Sequence, residues 1–359
     1  SFSTGRIENS YATGSVEGKV YTGGLVGSVT SDAKVVNSYA TGDVKGSGSV
    51  GGLVGISTHR SQIANSYATG KVEGINNIGG LVGSNTYGSS INNVYATGDV
   101  KGSGSVGGLV GDNATTSNVD GVTKASISNA YSTGSVTGFS LVGGLVGEND
   151  ANATISNVYA TGVVNGSNSG GLVGGNGSTA SISNAYWNTE TSVKANAIGS
   201  GTATGVTALT TAQMKQGASF VGFDIDGQGG TGKVWRIYEG NAAPLLRSFL
   251  TQATLGTVAN QSKTYNGQMQ SVDLSGVSLA GLDSSKIFAG QSSSKNVGTY
   301  NAGYYSNQQG YDFVGGNASL TINKANLAIT GLSAFNKVYD AATVATLTGT
   351  ASVSPLGSD

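Results

Sequence analysis

The chain has 359 residues, of which 60 are glycine, two are proline and none is cysteine; its net charge is −1 and only 10% of its side chains are charged. An ordinary domain holds ~7% glycine and about 25% charged residues. The lack of cysteine excludes a disulfide framework and a thiolate metal site. The near-neutral charge gives nucleic acid no electrostatic hold, and no apolar run reaches the ~18 residues that cross a membrane as a helix, so neither a nucleic-acid partner nor membrane insertion is expected.

Residues 1–186 repeat. Gly-Gly-Leu-Val-Gly or a near copy recurs around Leu25, Leu53, Leu81, Leu109, Leu145 and Leu172, and a tyrosine marks each unit at Tyr11, Tyr39, Tyr67, Tyr95, Tyr131, Tyr159 and Tyr186. The tyrosines lie 28, 28, 28, 36, 28 and 27 residues apart. A fixed period of this size means one unit stacked on copies of itself. β-Branched Ile7, Val35, Ile63, Ile91, Ile127, Ile155 and Ile182 precede the tyrosines by four residues. Alternation and β-branching read as strand, and the glycines as bends. The fold class expected is all-β: a parallel β-helix of about seven 28-residue coils, each ~4.8 Å from the next.

Such a stack implies columns of identical residues. Asn9, Asn37, Asn65, Asn93, Asn129, Asn157 and Asn184 precede the tyrosines by two; their amides are expected to form a ladder, although asparagine also favours turns. Isoleucine, asparagine and tyrosine share one parity, whereas the opposite parity varies, which places the tyrosines inside the coil. An exposed tyrosine stripe that grips sugars is the alternative. Glu17, Lys45, Glu73 and Lys101 alternate in sign, as do Asp43, Lys71 and Asp99, which suits register specification along an outer face.

The pattern breaks at Trp187. Residues 187–251 carry one short helical pattern, Thr207 to Gln216, and a dense apolar set including Phe220, Phe223, Trp235 and Leu246. A solenoid must cover its last coil, so this segment is read as a C-terminal cap. Residues 252–323 lose the repeat and show turn signals at Asn266-Gly267 and Gly315-Gly316; they are expected to form one small antiparallel β domain. Residues 324–359 begin another, cut short.

Gly-Gly-Leu-Val-Gly together with Asn-x-Tyr-Ala-Thr-Gly resembles the GLUG motif of large bacterial surface proteins, among them filamentous-haemagglutinin-like adhesins and IgA-protease relatives. Leu209 to Met214, Trp235-Arg236-Ile237 and Pro244 to Arg247 are similar to the segment that comes after GLUG arrays in those proteins. Residues 252–323 resemble mostly bacterial immunoglobulin-like (MBG) modules, and Lys337-Val-Tyr-Asp-Ala341 resembles the start of a YDG module, with alanine where that name has glycine. The resemblance implies an exported adhesin of the two-partner-secretion type. That in turn implies a cell-surface location, an outer-membrane transporter for export, and a surface or matrix glycan, or other copies of the adhesin, as partner.

Chemistry is sparse. His59 is the one histidine, so neither a Ser-His-Asp set nor a two-histidine metal site can be built on it. Asp224 to Gly229 faintly resembles a calcium loop without its later carboxylate, and is read as a turn. No catalytic residue, metal or cofactor is expected, and the chain is read as no enzyme. A filament-forming segment and a polysaccharide-acting β-helix enzyme remain as alternatives. The longest insertion, between Leu109 and Tyr131, offers Asn113, Thr115, Thr116, Asn118, Asp120 and Lys124 as candidate contacts to a hydroxylated ligand.

Overall fold

A computed structural model describes residues 5–115, 124–150, 152–290 and 293–356. The chain divides into two compact units, Ser1–Leu250 and Thr251–Asp359.

The first unit is a parallel β-helix. A complete coil has four strands, as in Gln62–Ala68, Val72–Glu73, Asn76–Gly79 and Val82–Thr86. Each strand pairs in parallel with its counterpart one coil on, so four sheets run along the stack. Register keeps to the repeat: Tyr67 lies opposite Tyr39 and Tyr95, and Val72 opposite Val44 and Val100. The 36-residue period does not disturb it, because Tyr95 still meets Tyr131.

The interior holds two cores. Val35, Ile63, Ile91, Ile127 and Ile155 of the first sheet pack against Leu53, Leu81, Leu109, Leu145 and the valine after each leucine in the fourth. A smaller core joins Val44, Val72, Val100, Val136 and Val164 of the second sheet to Val50, Ile78, Val106 and Val142 of the third. The motif's last glycine has a steric cause. A Cβ on Gly83 would stand 2.4 Å from the Ser49 carbonyl carbon, so only glycine lets the fourth sheet lie against the third sheet's backbone.

The tyrosines correct the parity argument. All seven asparagines that precede them have φ between +48° and +53°. This left-handed conformation is one that asparagine tolerates best among residues with a side chain. Ladder pairing skips that residue: Ala64 pairs with Asn92 and Ser66 with Val94, while Asn65 is passed over. Each asparagine is therefore a bulge that reverses the alternation of faces. Ile63 and Ala68 point into the core and Tyr67 points out. The reversal comes at the asparagine, two residues before the tyrosine.

Residues 187–250 perform two tasks. Trp187 plugs the end of the larger core, its indole donating to the Lys194 carbonyl at 3.1 Å. A one-turn helix, Thr189–Ser192, is capped by the Asn188 side chain. Ile198–Gly201 and Val206–Leu209 then pair onto the fourth and first sheets as a last partial coil. The expected helix from Thr207 is replaced at its start by this strand, because an open sheet edge is there to pair with; only Gln213–Lys215 forms a 3-10 turn. The remainder, from Thr210 to Leu250, is not an end cap. It runs back over the outside of the tyrosine column as a strap.

The second unit contains a four-stranded sheet of Gln261–Thr264, Asn317–Asn323, Gly298–Tyr305 and Phe288–Gly290. It is mixed rather than antiparallel, since Gln261–Thr264 pairs in parallel with Leu320 to Asn323. Leu320, Ile322, Ala302 and Leu274 form its small core. Ile329–Ala334 and Leu347–Val353 pair as an antiparallel hairpin with Ile329, Phe335 and Leu347 exposed.

Candidate functional site

The tyrosine column and its strap are the most elaborate surface of the first unit. From Tyr11 to Tyr159 successive rings stack face to face, with centroids 4.8–5.2 Å apart and planes within 8°. This spacing is set by the strand ladder. The π faces are spent on one another, so the column presents ring edges and hydroxyls outward.

The strap reads those groups. Phe249 meets Tyr67 and Tyr95 edge-on at 86° and 88°. Trp235 lies on Tyr131 and Tyr159, Phe220 on Tyr159 and Tyr186, and Phe223 on Tyr186. The Tyr159 hydroxyl donates to the Pro244 carbonyl and that of Tyr186 to the Val221 carbonyl, each at 2.7 Å. Gly222, at φ +89°, sits so close to the Asn184 amide that a Cβ would meet it at 2.4 Å. Burying a side chain of this size stabilises by about 1.5–3 kcal/mol, and the strap buries several. Burial raises the Tyr131 hydroxyl pKa well above its usual value, with Tyr159 and Tyr95 adding to the effect; burial alone raises Tyr159.

The strap is itself braced. Trp235–Arg236 pairs with Ile225–Asp226 and with Leu245–Leu246. Lys233 binds Asp224 at 2.7 Å and Arg247 binds Asp226 at 3.2 Å. Asp226 also accepts from the Gln228 N–H and the Thr231 hydroxyl. The acidic residues of the faint calcium-loop pattern are thus occupied in holding this turn together.

Coverage ends partway along the column. Tyr95, Tyr131, Tyr159 and Tyr186 are buried, Tyr67 and Tyr39 are half-buried, and Tyr11 is 64% exposed. The tyrosines are neither a coil interior nor an open stripe, and burial comes from outside.

Two amide ladders exist. The expected one is partial: Asn184 donates to Asn157 at 2.9 Å, Asn157 to Asn129 at 3.3 Å, and Asn129 to Asn92 at 3.3 Å, off the column. Asn9 and Asn37 are exposed and Asn65 and Asn93 half-buried, and none of these four joins the chain of bonds. The continuous ladder lies elsewhere, inside the coil. Asn85 donates to Asn113 at 2.8 Å, Asn113 to Asn149 at 2.8 Å, Asn149 to Asn176 at 2.9 Å, and Asn176 to the Thr202 carbonyl at 2.7 Å. Sequence reading missed it, although the signal was there: each of these asparagines comes directly after its Leu-Val-Gly-x.

This corrects the insertion site. Asn113 is fully buried within that ladder, and buried Thr115 accepts from the Ala125 N–H at 2.9 Å. Both close the neck of the insertion and cannot meet a ligand. Lys124 is exposed. Thr116, Asn118 and Asp120 lie outside the described residues. Beside the neck, Asp112 stacks in register on Glu148. Burial first, then the charges of Glu148 and Asp150, push the Asp112 carboxyl up from 3.8 to about 7. Ser105 donates to Glu148 at 3.0 Å.

The charged columns line up as their spacing requires: Glu17 opposite Lys45, Lys45 opposite Glu73, and Glu73 opposite Lys101. Their head groups form no ion pair among the described residues. Asp43 and Asp99 instead accept the N–H of Lys71 and Ser135 one coil on, at 2.9 and 3.0 Å. His59 stacks on Tyr87 at 4.8 Å, beside an Arg60–Asp32 ion pair. Among the described residues no three acidic or histidine groups could hold a metal ion.

Residues 18–45, 46–73, 74–101 and 140–165 match the model of the GLUG motif. The chain therefore carries four GLUG repeats, and each runs from the third and fourth strands of one coil, around Gly-Gly-Leu-Val-Gly, through the tyrosine strand to the second strand of the next coil. Comparison with curated proteins and with solved structures gave no match.

Proposed function

We propose that this chain is a segment of a large exported bacterial surface adhesin, working as a rigid stalk or binding rod in cell–cell, host-cell or biofilm-matrix adhesion. The observation that carries this reading is the GLUG array folded into a coil whose interior is filled throughout by apolar and amide columns. Each coil adds one strand spacing to the length of the stack, a construction suited to holding other parts at a distance. The second unit fits an MBG-like module and the final hairpin the opening of a YDG-like one. A secreted, cell-surface location, export through an outer-membrane transporter, and a glycan or a further copy as partner belong to the same proposal.

A glycan array together with a cell-binding assay on the purified chain tests it. Saturable binding to cells or to a matrix glycan, retained when residues 46–73 (one whole period) are removed, is the expected result. Absence of binding combined with concentration-dependent growth of assemblies in sedimentation would favour a structural filament instead. Release of reducing ends from a polysaccharide would favour an enzyme.

A further inference from the structure

The strap stops before the tyrosine column does. Phe249 is its last aromatic contact and reaches Tyr67 and Tyr95. Beyond it the same column continues through Tyr39 to Tyr11 with the same spacing, 4.8 and 5.2 Å, and nearly parallel rings. Among the described residues no aromatic ring of the strap stacks on or meets Tyr39 or Tyr11; Tyr39 is half-buried and Tyr11 is 64% exposed.

We propose that Tyr11 and Tyr39, with the free flank of Tyr67, form a docking groove for an extended polypeptide segment bearing phenylalanine or tryptophan, bound as the strap is bound. Three observations support this occupant. The groove is continuous with an interface the chain already makes, so its shape and spacing are those a polypeptide is seen to fit. The covered half shows what the column accepts: aromatic rings against tyrosine edges, and backbone carbonyls that take the hydroxyl protons of Tyr159 and Tyr186. The stacking also argues against a sugar, because sugars bind aromatic faces and the rings of the column turn their faces to one another. Aromatic pairs of this kind are frequent anchors of protein–protein contacts. The inference does not depend on the adhesin reading, since it concerns only what the column can hold.

The test uses the full chain and a fluorescein-labelled peptide of residues 243–250, the part of the strap that carries Phe249. Anisotropy should show saturable binding. A Phe249→Ala peptide should lose it. Tyr11→Ala combined with Tyr39→Ala should weaken it at least tenfold, and Tyr11→Phe combined with Tyr39→Phe, which keeps the stack, should weaken it by about threefold through the lost hydroxyls. Should the alanine pair fail to fold, protection of Tyr11 and Tyr39 from nitration by the peptide in the unsubstituted chain gives the same answer. No saturable binding overturns the proposal. So does binding indifferent to both tyrosines, which would mean that the peptide had displaced the strap at Tyr67 and Tyr95. Displacement of the bound peptide by a disaccharide, with no such displacement by unlabelled peptide, would assign the groove to a glycan and equally overturn it.

Discussion

The early and late coils are built from one repeat yet hold together differently. In the early coils the serines before the tyrosines, Ser38 and Ser66, bond between neighbouring strands. Val29 and Ser57 occupy the inner amide position there, and the outer face carries Glu17, Lys45, Glu73 and Lys101. In the late coils Val94, Ala130, Val158 and Ala185 fill the serine column. Asn113, Asn149 and Asn176 fill the amide position, Thr137 and Asn165 replace the charges, and the strap lies outside. The repeat fixes where a residue stands along the stack. Its burial is decided by a segment that does not repeat.

The largest expected effect separates the two halves. Trp235 is fully buried against Tyr131, Tyr159 and Phe223, so Trp235→Ala should cost about 3–5 kcal/mol. Tyr11→Ala should stay within about 0.5 kcal/mol. Urea denaturation monitored by circular dichroism measures both. Equal losses would mean that the strap contributes nothing special to the late coils.

Next comes the buried ladder. Asn113→Leu removes both a donor and an acceptor between Asn85 and Asn149, and should cost about 1–3 kcal/mol for the amide groups left without partners. Asn9→Ala, on the exposed end of the outer column, should cost less, mainly through its left-handed backbone. A comparison of thermal midpoints decides which column is structural.

The Asp112 carboxyl sharpens the contrast by pH. Its value in the folded chain is raised from 3.8 to about 7. Between those values the folded chain holds a proton that the unfolded chain has released, so this group makes stability fall as pH rises through that window. Above it the full penalty of a half-buried charge beside Glu148 applies. Asp112→Asn should therefore raise the melting temperature at pH 8 and have little effect near pH 4. An unchanged pH profile in the variant would show that Asp112 is solvated.

The hydroxyls and the surface charges carry smaller effects. Tyr159→Phe removes a buried bond to the Pro244 carbonyl and should cost about 1 kcal/mol, whereas Tyr11→Phe should cost almost nothing. Lys45→Glu, between Glu17 and Glu73, should lower stability slightly in dilute buffer and not at all in concentrated salt, since these exposed side chains share a register but no contact.

Much of this architecture was legible in the sequence because a parallel stack turns periodicity directly into neighbours: Tyr67 had to lie on Tyr95, and Glu73 beside Lys45. The direction in which the tyrosines point was not. Alternation carries over only while the strand is regular, and one left-handed residue, the asparagine, reverses it. The inner ladder was legible and overlooked; its asparagines sit inside a motif whose glycines and leucines drew the attention. The strap could be read as apolar, and its length and aromatic spacing as a covering, but no local pattern states whether a covering lies over the end or along the side. That depends on the tyrosine edges it meets, which belong to coils far earlier in the chain. The insertion misled for the opposite reason: Asn113 and Thr115 look like loop residues because their neighbours are polar, while Asn113 lies within a strand and Thr115 directly after it.

The strap shields the late tyrosines and leaves Tyr11, at the early end of the column, exposed. Nitration with tetranitromethane, mapped tyrosine by tyrosine by mass spectrometry, tests it most directly, since the reagent needs access to the ring and an ionisable hydroxyl. Rapid modification of Tyr11 and strong protection of Tyr95, Tyr131, Tyr159 and Tyr186 are expected, with the protection lost in Trp235→Ala. Modification of Tyr131 and Tyr159 at the rate of Tyr11 in the unsubstituted chain would contradict it.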